Sequence, residues 1–139
     1  MTITDKLETL ANTPNILVEL LEEIPTNILK IRRIKNKWSI HEHVCHLYES
    51  QKMMMERFRI FKRTKNPEFI PYLPGSASTP DDYLINLDMS ASLESFIKDR
   101  LELIEYLKSF SKDDWENQGV HPEYINYTPA IFFAIYHDA

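Results

Sequence analysis

Two glycines in 139 residues, Gly75 and Gly119, leave this chain few of the tight turns that a sheet demands. It carries instead apolar residues at helical spacing, divided by prolines. Leu7, Leu10, Ile16, Leu17, Leu20, Leu21 and Ile24 recur along one helix face. Thr13-Pro14 reads as an N-cap with proline at the first helical position, so this helix is expected to restart or kink there. Pro25 ends it, and a short turn over residues 27–31 leads into a basic stretch from Lys30 to Lys37. Ser39 and Glu42 have the spacing of a capping box, which starts a second helix near Ile40. That helix runs to about Lys62 with Ile40, Val44, Leu47, Met54, Met55, Phe58 and Phe61 on one face. A third, from about Ser92 to Phe110, is expected to bury Leu93, Phe96, Ile97, Leu101, Ile104 and Leu107. Ser111 caps a short turn that buries Trp115, and Thr128 caps a fourth helix with Pro129 at its first position. The stretches 66–80, with four prolines, and 116–127 are expected to be irregular. Four helices around one core predict an all-α four-helix bundle. Its last helix, of about ten residues before Ala139, is expected to be truncated.

The length fits a single domain over 1–139, and 43% hydrophobic residues suffice for its core. A net charge of −5 argues against a nucleic-acid partner, because a phosphate backbone demands a basic surface. No apolar stretch is long enough to span a membrane, and the N-terminus lacks the pattern of a secretory leader. The lone Cys45 fits a reducing compartment, so the expected location is the cytoplasm.

The chemistry-bearing residues cluster at the head of the second helix, in Trp38-Ser39-Ile40-His41-Glu42-His43-Val44-Cys45-His46-Leu47. Neutral imidazole is the commonest nitrogen ligand for zinc, nickel or iron. With Ile40 at the centre of the apolar face, His43 lies roughly 60° to one side and His46 roughly 120°. Periodicity alone therefore buries His43 better than His46. If the helix is covered on two sides, Glu42, His46, Met53 and Ile60 form a second inward stripe with Glu49 beside it. The competing reading is that these histidines are packing or surface residues. His41 is expected at the surface, Cys45 on the outward flank, and His121 in a solvated loop. Trp38 is read as a staple on the core, Met53-Met54-Met55 as core filling, and the basic stretch as a solvated face.

Trp38-Ser39-x-x-Glu42-x-x-x-His46-Leu47 resembles the signature of the DinB-like superfamily, whose members are also described as YfiT-like metal-dependent hydrolases. The Thr-Pro first helix and the closing Tyr127-Thr128-Pro129 helix with Tyr136-His137-Asp138 extend the likeness. The resemblance implies an up-down-down-up bundle and a metal site built from one histidine of helix two and a His-x-x-x-His on the last helix. By motif position His46 matches the first ligand and His137 the second, and the third would fall past Ala139. This register overrules the wheel-based preference for His43, which stays as an auxiliary with Glu42 and Glu49. The implied cofactor is a divalent metal, zinc or nickel. The implied activity is that of a hydrolase or a thiol S-transferase acting on a small molecule in the bundle cavity, with a low-molecular-weight thiol such as bacillithiol or mycothiol as co-substrate. The alternative is a non-catalytic bundle that binds a ligand or partner through a degenerate site. A homodimer is also expected, because Phe132, Phe133 and Tyr136 offer aromatic surface that one short helix cannot bury.

Overall fold

Helix capping by side chains within four residues of each start sets the boundaries of the fold. The structure, a computed structural model, describes residues 2–71 and 82–138, with side chains as far as Ile135. The expected loop over 66–80 therefore lies mostly outside the described residues. Helix α1 (Ile3–Glu22) opens on a capping box in which Asp5 N–H donates to Thr2 Oγ1 at 3.1 Å and Thr2 N–H to Asp5 Oδ2 at 3.0 Å. Helix α2 (Ile40–Arg63) and helix α3 (Met89–Lys108) form the most extensive pair, and α1 packs on α3. Asp88 caps α3 by accepting from Ala91 N–H at 3.0 Å, so this helix starts three residues before the expected Ser92.

The expected break at Thr13-Pro14 does not occur: α1 runs unbroken through Pro14. A mid-helix proline has no N–H, which orphans the carbonyl four residues earlier, here that of Leu10. Arg100 of α3 donates Nη1 to Leu10 O at 3.0 Å and supplies the missing bond. Its Nε reaches Gln51 Oε1 at 2.6 Å, and Gln51 Nε2 reaches Phe96 O at 2.9 Å, so one guanidinium ties three helices. Burial pushes the Arg100 pKa down to about 10. The expected inward face of α3 is corrected accordingly. Arg100 is buried, and its neighbour Leu101 is 62% exposed.

Ser111 caps the short helix α4 (Lys112–Trp115), with Asp114 returning to its backbone, and Trp115 is partly buried as expected. The next stretch was expected to be irregular but forms an antiparallel hairpin, β1 (Gly119–His121) and β2 (Tyr124–Tyr127). The segment after α2 joins it: Phe69 N–H donates to Val120 O at 2.8 Å and Val120 N–H to Pro67 O at 2.7 Å. Gly119 is required there, since a Cβ would stand 2.9 Å from Phe69 Cε2 and 3.0 Å from Phe61 Cε1. Thr128 then caps α5 (Pro129–Asp138) through Ile131 N–H at 3.2 Å, with Pro129 at the first position as expected.

An aromatic core closes the lower half of the bundle. Phe58 and Phe132 rings lie 5.0 Å apart, Phe61 and Phe69 4.7 Å, and Phe69 and Tyr127 5.3 Å. Phe132 and Phe133 are buried within the chain, so the expected homodimer loses those two residues as its contact face. The side chain of Tyr136 lies outside the described residues.

Candidate functional site

The head of α2 is locked by a hydrogen-bonded cap. Glu42 N–H donates to Ser39 Oγ at 3.2 Å, and Glu42 Oε1 accepts from Ser39 N–H and from Ser39 Oγ, both at 3.0 Å. Arg32 completes the lock with a two-pronged ion pair, Nε to Oε1 at 2.7 Å and Nη2 to Oε2 at 2.8 Å. The basic stretch is therefore not wholly a solvated face, because Arg32 is spent on α2. The Arg32 hydrogen bonds, followed by those of Ser39, outweigh burial and hold the Glu42 pKa down to about 2. Both Glu42 oxygens are thus engaged inside the protein.

Four histidines have described side chains, and their surroundings separate them. His41 was expected at the surface and is instead buried, with Nε2 donating to Leu87 O at 2.8 Å. Cys45 was expected on the outward flank and is fully buried. Its thiol pKa is raised, by desolvation first of all. Both corrections have one cause: the segment leading into α3 covers the side of α2 that the helical wheel assigned to solvent. His121, expected in a solvated loop, is buried on β1, where Nδ1 accepts from Glu123 N–H at 3.0 Å.

His43 and His46 exchange the places that periodicity assigned them. His43 is exposed and His46 is half-buried. The second inward stripe is present, with Glu42 buried and His46, Glu49, Met53 and Ile60 half-buried. Trp38 does not staple to the core. Its ring lies 4.7 Å from that of His46 and 5.4 Å from that of His43, roofing both. Burial, and then the charge of His43, lower the His46 pKa against an opposing effect of Glu49. The His46 ring is therefore neutral at neutral pH, with a lone pair to offer. It has no hydrogen-bond partner among the described residues, unlike those of His41 and His121.

Glu49, one turn along, is held by Lys52 at 3.1 Å. Among the described residues no three His, Cys, Asp or Glu side chains gather as a metal-binding group. His137 falls in the last turn of α5, and its side chain lies outside the described residues. No described helix is long and apolar enough to cross a membrane.

Sequence reasoning overlooked Arg57, which is buried against Tyr127 beside the hairpin. The signal was its helical spacing, three residues after Met54 and four before Phe61, which puts an arginine on the apolar face.

The class this defines is a four-helix bundle with a histidine at the capped head of its second helix. The chain belongs to the DinB superfamily, whose family model matches residues 9–139. Its fold is similar to the solved structure of YfiT from Bacillus subtilis, described as a probable metal-dependent hydrolase with an unusual four-helix bundle topology. The two share 20% sequence identity at a TM-score of 0.78, over 99% of this chain and 81% of that one. No curated protein matches the chain.

Proposed function

We propose that this protein is a metal-dependent enzyme acting on a small molecule, with a divalent zinc or nickel ion held by His46 and His137. The observation that carries this reading is His46. It is a neutral, half-buried imidazole with no hydrogen-bond partner among the described residues, at the position that the sequence resemblance gives to the first metal ligand. The likeness to a protein described as a probable metal-dependent hydrolase supports it. The nearby carboxylates fit a metal less well, since Glu42 is spent on Arg32 and Ser39, and Glu49 pairs with Lys52. A bound divalent ion would lower the pKa of a water or a thiol and so supply a nucleophile at neutral pH.

The chain's own residues do the rest. The Ser39–Glu42–Arg32 lock fixes where α2 begins and therefore where His46 points. Trp38 shields one face of the His46 ring from water. His43, exposed under the same tryptophan, stands beside His46 as an auxiliary ligand. The reaction is hydrolysis, or transfer of a low-molecular-weight thiol to a small molecule. Metal content per chain after loading with zinc or nickel tests the reading. About one ion per chain is expected in the wild type, with most of it lost in His46→Ala and in His137→Ala. Equal content in wild type and His46→Ala overturns the assignment.

A further inference from the structure

Three buried polar side chains at the other end of α2 hold hydrogen-bond donors that nothing described accepts. Arg57 is 8% exposed. One Nη donates to Tyr127 Oη at 2.7 Å and the other to the Ile70 carbonyl. The Phe69 and Phe132 rings lie 5.1 and 6.0 Å from its Cζ. None of these partners is charged, and no carboxylate pairs with Arg57 among the described residues. A guanidinium has five N–H donors, so most of its capacity is unspent. Tyr127, 2% exposed, accepts from Arg57, and its own O–H meets no acceptor among the described residues. His121, 9% exposed, accepts at Nδ1 from Glu123 N–H, so its neutral ring carries the hydrogen on Nε2. The His121 and Tyr127 rings are 4.7 Å apart, and Tyr124 stacks on Tyr127 at 5.5 Å.

Buried donors are almost always satisfied, and a buried charge without a counter-charge is costly. Here one buried charge and two neutral donors sit together, and no carboxylate pairs with Arg57 among the described residues. We propose that Arg57, Tyr127 and His121 form a binding site for the carboxylate group of a small organic acid. A planar guanidinium fork matches a carboxylate, and the tyrosine hydroxyl and imidazole N–H add neutral donors. Burial and then the Arg57 charge keep His121 neutral at neutral pH, against a raising effect of Glu123. The site thus holds one formal positive charge, which matches a single carboxylate better than doubly charged phosphate. Arg57 follows His46 by eleven residues on one helix, which returns it to the same face about 16 Å further along. The site is separate from the proposed metal position and does not depend on it.

The test is propionate, inorganic phosphate and chloride titrated into metal-free protein at constant ionic strength, read by calorimetry and by melting temperature. Propionate is expected to bind and stabilise, phosphate to bind more weakly, and chloride to do neither. Tyr127→Phe and His121→Phe, each lacking one donor, are expected to weaken propionate about tenfold, and folded Arg57→Gln to abolish its binding. His46→Ala is expected to bind propionate as the wild type does. Equal response to all three anions, or tighter phosphate binding, overturns the carboxylate assignment. Wild-type propionate affinity in both Tyr127→Phe and His121→Phe overturns the site. Loss of propionate binding in His46→Ala would place the anion at the metal position instead.

Discussion

Replacing Glu42 with glutamine tests whether its charge, rather than its shape, locks the head of α2. The carboxylate is 1% exposed and accepts from Arg32 and Ser39. Its pKa falls from the ordinary 4.5 to about 2. At about 1.4 kcal/mol per pKa unit, that depression corresponds to about 3 kcal/mol of stability at neutral pH. Arg32 is 42% exposed, so solvent screening trims the figure to about 2 kcal/mol. The sign follows from a folded-state pKa below the unfolded one. The contribution is fully present above the unfolded value of 4.5 and is lost as pH falls through 4.5 toward 2. Urea unfolding of wild type and Glu42→Gln should therefore differ by about 2 kcal/mol at pH 7, and by less than half of that at pH 3. A stability gap of the same size at both pH values would refute the electrostatic account and leave shape or packing as the cause.

Ser39→Ala removes the cap of α2 and should cost about 1 kcal/mol. Because His46 lies two turns on, its divalent-metal affinity should fall by more than that stability loss alone would give. An unchanged metal dissociation constant beside a lowered melting temperature would show that the cap serves folding only. Gly119→Ala should destabilise by about 1–3 kcal/mol in chemical unfolding, since its Cβ would press on Phe69, Phe61 and Tyr127 O at 2.9 to 3.1 Å. A wild-type midpoint would mean that the two phenylalanine rings yield freely.

The parts of the fold that were legible in the residues are those made within a few positions of chain. The Ser39–Glu42, Ser111–Asp114 and Thr128–Pro129 helix starts form where the sequence places them, because a cap needs only its own first turn. The hairpin was not legible. Its strands have only three and four residues, and its Gly119–Val120 backbone is steadied by the segment that follows α2. At the site, the motif register singled out His46, while the helical wheel favoured His43. The wheel assumes one covered face, and α2 is covered on more than one.

Local chemistry in the sequence determined that this chain forms capped, proline-punctuated helices and sets histidines at the head of the second. Tertiary structure alone decided which polar side chains those helices bury. Leu87 O, from the approach to α3, takes His41 inward. Arg100, ninety residues from Leu10, satisfies the carbonyl that Pro14 strips of its donor and keeps α1 whole. Arg57 meets Tyr127 only because β2 returns to α2 across seventy residues. Capping is settled by neighbours in the chain, whereas burial and the pairing of distant polar groups depend on elements that the fold alone brings together.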